Sequence, residues 1–177
     1  MSDVEIVVFD MDHTLIAQDS LYEQLRAILR FSAIKFLDCL ITLITKGRVS
    51  FKKRVFQVCE EHDFNRSSLH EITVNDSVKE EFCKYKNSGI TVIIATAAYW
   101  KTTFKVLKKI ELIPDIIIST GNNYNLKGKI KLRYLRPYIK SSTWAYYGDS
   151  ISDVPLFRAA DVSYKVTANS IERVFYE

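Results

Sequence analysis

Apolar residues along this chain follow two rhythms. Short runs rich in β-branched residues occupy 4–9, 89–96, 115–119, 143–147 and 161–166, and each predicts a buried strand. Between them, apolar positions recur every three or four residues over 76–88, 99–110, 129–139 and around 155–160, which predicts helices. Five strands alternating with helices point to an α/β fold: a doubly wound, Rossmann-like parallel sheet covered on both faces.

Residues 16–74 break that rhythm. Their pattern is mostly helical, interrupted at Lys46-Gly47-Arg48 and Asp63-Phe64-Asn65. The reading is a core formed by 1–15 and 75–177, with 16–74 inserted as a small α-helical cap over the carboxyl ends of the strands, where open α/β sheets bind ligands. Within the insertion, 25–44 is the most apolar stretch, but Arg26, Arg30, Lys35 and Asp38 interrupt it at intervals that a bilayer-spanning helix would not accept. Amphipathic helices packing on the core are favoured over an interfacial helix that touches lipid.

Composition narrows the picture further. A chain of 177 residues, 47% hydrophobic, buries one core with room for an insertion. The net charge of +4 favours anionic ligands, yet the cations are scattered among 21 acidic residues, so nucleic acid is not expected. Phosphorylated small molecules and anionic membrane surfaces both fit. Cys39, Cys59 and Cys83 are isolated and form no zinc-type pattern, so they read as buried thiols. The chain opens on a strand pattern without a leader-like basic and apolar stretch, and a cytoplasmic location is the expectation.

The chemistry concentrates at strand ends. Asp10-Met11-Asp12-His13-Thr14-Leu15 follows the first apolar run, so two carboxylates one residue apart leave a buried strand into a turn. Gly148-Asp149-Ser150-Ile151-Ser152-Asp153 repeats the situation at a later strand. In a parallel sheet these ends share one edge, and four carboxylates gathered there would repel one another. A hard divalent ion bound through oxygen resolves the repulsion, and Mg²⁺ suits such a set. Thr96 at the end of the second strand and Lys131 after the asparagine-rich loop are each ambiguous alone, the one as a strand-ending cap, the other as a solvated lysine beside Lys127 and Lys129.

Together, DMDHTL, Thr96, the lysine of NLKGKIK and GDSISD resemble, in order and position, the motifs of the haloacid dehalogenase-like hydrolase superfamily, and the helical insertion resembles the cap of its phosphoserine phosphatase-like branch. The resemblance implies that Asp10 attacks a phosphate to form an aspartyl phosphate, while Asp12 protonates the leaving oxygen and then activates water. It also implies that Thr96 and Lys131 hold phosphoryl oxygens, that Asp10, the Asp12 carbonyl and Asp149 bind Mg²⁺, and that Asp153 supports the metal shell. Lys131 is the lysine that follows the glycine of the family's loop. A phosphotransferase using the same intermediate and a non-catalytic binding module are the alternatives.

Substrate choice falls to the cap, where Asp19, Arg48, Lys52, Lys53 and Arg54 are the polar candidates. Asp19 reads first as a helix cap, and the cations after Gly47 read first as a solvated face. GRVSFK, IIATAA and NLKGKIK are similar to the phosphatase domain joined to some bacterial prenyltransferases, which implies a sugar phosphate or a lipid-linked phosphate as substrate.

Overall fold

A computed structural model describes residues 4–63, 72–168 and 170–176. Its centre is β1 (Ile6–Phe9), a fully buried strand in which Ile6 and Val8 face one apolar cluster while Val7 and Phe9 face another. Alternating side chains on a pleated strand make this division, and a strand buried on both faces must be apolar at every position.

A helical segment follows. Helix α1 (Ser20–Phe31) starts at Asp19, whose carboxylate accepts from the backbone N–H groups of Leu21 and Tyr22. Helix α2 (Ala33–Glu61) starts at Ser32 and breaks at Gly47, where φ is 77°. Only glycine adopts that conformation without strain, so the single helix becomes two rods. The three rods share their own apolar cluster, with Ile28, Cys39, Phe51, Val55, Val58 and Cys59 buried in it. Of the expected break at 63–65, Phe64 and Asn65 lie outside the described residues.

The chain then alternates through α3 (Asp76–Asn87), β2 (Thr91–Tyr99), α4 (Trp100–Lys109), β3 (Ile116–Thr120), α5 (Lys129–Ile139) and β4 (Trp144–Gly148). A 3-10 turn at Ile151–Asp153 leads into the short α6 (Val154–Phe157), followed by β5 (Val162–Val166) and β6 (Ile171–Val174). The sheet order is β3-β2-β1-β4-β5-β6, parallel throughout except for β6, which pairs antiparallel with β5.

Three expectations change. A sixth strand, β6, extends the sheet beyond the five predicted. The second strand runs on to Tyr99 with a register shift between Thr96 and Tyr99, so Thr96 lies inside it and not at its end. The helix expected around 155–160 instead begins as the 3-10 turn and stops at Phe157.

The strand order reverses direction at β1, with β2 on one side and β4 on the other. Both β1 and β4 therefore deliver their carboxyl ends to the crevice of a doubly wound sheet. The two segments that link α1 and α2 to the sheet run side by side there, with Ala17 N–H donating to the Thr73 carbonyl and Asn75 N–H to the Leu15 carbonyl, each at 2.9 Å.

Candidate active site

The turn after β1 is held by its own backbone. Asp10 N–H donates to the Tyr147 carbonyl, fixing β1 to β4, and Thr14 and Ile16 N–H both donate to the Met11 carbonyl. Met11 and Leu15 are fully buried, so the turn is anchored by its apolar members while the aspartates project into the crevice. The Asp10 carboxylate accepts from Met11 N–H at 2.8 Å, and the Asp12 carboxylate accepts from Ser20 N–H, the first residue of α1, at 3.0 Å.

Lys131 projects from the first turn of α5 into the same place and is only 1% exposed. Its ammonium lies 3.0 Å from Asp10 Oδ2, 3.0 Å from Asp153 Oδ1 and 3.1 Å from the Tyr146 hydroxyl. Burial works against the charged form of Lys131, but Asp10 and Asp153 outweigh it and raise the pKa. Lys127 and Lys129 remain exposed, so Lys131 is the member of the trio that the fold carries to Asp10.

Asp153 is fixed in turn by Ser150, whose hydroxyl donates to Asp153 Oδ2 at 3.1 Å. Carboxylate oxygens of Asp10, Asp149 and Asp153 lie within 4.8 Å of one another. Three carboxylates against the single ammonium of Lys131 leave an excess of negative charge in a buried place. That is the donor set and charge balance that a hard divalent cation satisfies. The Asp12 carboxylate is not among the three; it faces the start of α1.

The electrostatics follow from burial. Desolvation raises Asp10 to about 6, with Lys131 pulling it down and Asp153 pushing it up. Desolvation and the charge of Asp19 raise Asp12 to about 7, against the Ser20 N–H. Asp149 is raised by burial and by Asp153.

Thr96 is fully buried, lines the cavity above Asp10 and accepts from Ala98 N–H through its hydroxyl at 3.1 Å. Gly148 is required by packing: a Cβ there would sit 2.7 Å from the Tyr146 ring and 3.0 Å from Asp153 Oδ2. The glycine lets β4 end pressed against the residues that hold Lys131.

A cavity of about 350 Å³ opens above these groups, roofed by α1 and α2. Leu21, Gln24, Leu43, Phe51 and Arg48 line it from the cap side, and Tyr99, Thr102, Asn125 and Lys127 from the sheet side. Asp19, besides capping α1, lends its charge to Asp12. Lys53 is exposed and Arg54 pairs with Asp38 at 2.6 Å, as a solvated face requires. Lys52 departs from that reading. Its ammonium reaches across the crevice to the Ala97 carbonyl at 2.5 Å and to Asn125 Oδ1 at 2.6 Å, and burial lowers its pKa to about 8. A lysine in a Lys-Lys-Arg run carries no sequence signal that sets its reach apart from that of Lys53 or Arg54.

The profile of the haloacid dehalogenase-like hydrolase family matches residues 7–158. The chain belongs to this family of hydrolases. Among solved structures, a protein with unknown function from Bordetella pertussis Tohama I superposes with a TM-score of 0.65 at 14% identity, over 89% of this chain and 87% of that one. A haloacid dehalogenase family hydrolase from Salmonella enterica serovar Typhi gives 0.60 at 18% identity, over 90% of this chain and 62% of that one. A substrate-bound phosphoserine phosphatase gives 0.58 at 17% identity, over 92% of this chain and 86% of that one. These likenesses establish the shared fold. No curated protein matches the chain.

Proposed function

We propose that this hydrolase is a Mg²⁺-dependent phosphomonoesterase with a core of residues 1–15 and 75–177 and a cap of residues 16–74. The observation that carries the reading is the Lys131 ammonium bridging Asp10 and Asp153 with Asp149 alongside, at the carboxyl end of β1 and beneath the cavity.

In this reading Asp10 is the nucleophile. Its Oδ attacks phosphorus, the P–O bond to the alcohol breaks, and the proton on Asp12 passes to the leaving oxygen. Water then attacks the aspartyl phosphate, giving its proton back to Asp12, and phosphate leaves. An Asp12 raised to about 7 holds a proton near neutral pH and can release it, as both half-reactions require. Lys131 and Thr96 hold phosphoryl oxygens, with Lys131 offsetting the charge that builds up beside Asp10. Asp10, Asp149 and the Asp12 carbonyl would hold Mg²⁺, supported by Asp153; the ion supplies charge stabilisation at the phosphoryl oxygens.

The substrate is a small phosphomonoester, with sugar phosphates and lipid-linked phosphates as the first classes to examine. Arg48, Lys52 and Lys127 make the rim cationic while Leu21, Leu43 and Phe51 make the roof apolar. A phosphoamino acid fits less well, because Asp19 is engaged in capping α1. The test is phosphate release from an aryl phosphate in the presence of Mg²⁺. Turnover that disappears in Asp10→Asn and with a chelator supports the proposal. Activity unchanged in Asp10→Asn overturns it, and acceptor-dependent transfer in place of free phosphate would assign a phosphotransferase.

A further inference from the structure

The first half of α2 carries a face that neither the cap cluster nor the cavity uses. Ile34, Leu37, Ile41 and Ile44 recur at helical spacing and are 78%, 55%, 58% and 83% exposed. The opposite side of the same rod buries Cys39 and packs Phe36 and Leu43 into the cap cluster. Amphipathic helices normally turn such a stripe inward, so an outward one signals a surface that is covered in use.

Cations outnumber acids around it. Between 20 and 48 the charged residues are Glu23, Arg26, Arg30, Lys35, Asp38, Lys46 and Arg48, five cations against two carboxylates. Glu23 is buried and lies 3.7 Å from Arg26, and Asp38 is paired with Arg54. Arg30 and Lys35 flank the start of the stripe, and Lys46 and Arg48 follow its end. No helix among the described residues is long and apolar enough to cross a membrane. Four aliphatic side chains offer a few hundred Å², short of roughly 800 Å² per partner in a standard protein interface. An apolar stripe in a segment with an excess of lysine and arginine is instead the pattern of a helix lying in the plane of an anionic bilayer.

We propose that the outer face of α2 over residues 33–46 docks this protein on an anionic lipid surface. Ile34, Leu37, Ile41 and Ile44 enter the acyl boundary, and Lys35 and Lys46 meet the headgroups.

The test is co-sedimentation of the full chain with phosphatidylcholine vesicles containing 0 or about 30% phosphatidylserine, anionic lipid being the stated source of attraction. The expected result is binding to the anionic vesicles that is at least tenfold stronger than to neutral ones, weakens with salt, and falls at least tenfold in Ile34→Gln/Leu37→Gln/Ile41→Gln. None of these three residues lines the catalytic cavity, so the variant should keep aryl phosphate turnover and its circular dichroism melt, separating lost docking from lost folding. Absence of vesicle binding, or equal binding by the variant, overturns the proposal. So does a stable dimer, or a tight protein complex, that the triple substitution dissolves while vesicle binding is absent.

Discussion

Lys131 Nζ lies 3.0 Å from Asp10 Oδ2, closing the first strand end onto the start of α5. Asp153 meets the same ammonium at 3.0 Å, so removing Lys131 strands two buried carboxylates. Breaking a buried pair from one side costs about 3–5 kcal/mol. Lys131→Met should lose about that much stability in urea unfolding of the metal-free protein, and its aryl phosphate turnover should fall to background. Near-wild-type stability would mean that the pair is not held as described.

The carboxylates set a pH dependence. Asp10 and Asp12 have folded values of about 6 and about 7, above the ordinary 3.8. A raised carboxyl pKa stabilises the fold while the group is protonated, and that contribution is lost as pH rises through the folded value. Metal-free protein should therefore melt at falling temperature from about pH 4 to about pH 7. A divalent cation binds the ionised carboxylates, so stabilisation by Mg²⁺ should be larger at pH 7.5 than at pH 5. Thermal melts with chelator and with Mg²⁺ check both trends.

Gly148 is tested by one methyl group. Its Cβ would meet the buried Tyr146 ring at 2.7 Å, and forced overpacking of this kind costs about 1–3 kcal/mol. Gly148→Ala should lose stability in that range and lower turnover by displacing Tyr146 and Asp153 from Lys131. Denaturant unfolding together with aryl phosphate kinetics measures both.

Lys52 ties α2 to Ala97 and Asn125 across the crevice. Lys52→Met should leave the sheet intact but speed amide hydrogen exchange in the second rod of α2 and in the loop around Asn125. Unchanged exchange in both segments would show that the lysine does not tether the cap.

Much of this was legible in the sequence. Strands β1 and β4 are buried at every position, so their sequences are apolar and stand out, and each leads into aspartates proposed to carry the chemistry. Strand β6 was not legible, because Ile171-Glu172-Arg173-Val174 is a short edge with exposed charges and pairs on one side only. Thr96 closes the β-branched run and the two alanines after it carry no strand signal, whereas the strand resumes pairing at Tyr99. Lys52 stands among the polar candidates in the sequence, but its reach to Ala97 and Asn125 is not legible there, because periodicity tells which face a residue occupies but not what stands opposite that face. For Gly148, spacing marked the position, while its physical reason, contact with Tyr146, exists only in three dimensions.

The proposed reaction depends on Asp10 as the attacking group. Rapid quenching of the enzyme during turnover of an aryl phosphate, followed by mass spectrometry of its peptides, tests this directly. The expected result is an acid-stable but base-labile phosphoryl adduct on the peptide containing Asp10, absent from Asp10→Asn. Undiminished turnover in Asp10→Asn, with no adduct on that peptide in the wild type, would contradict it.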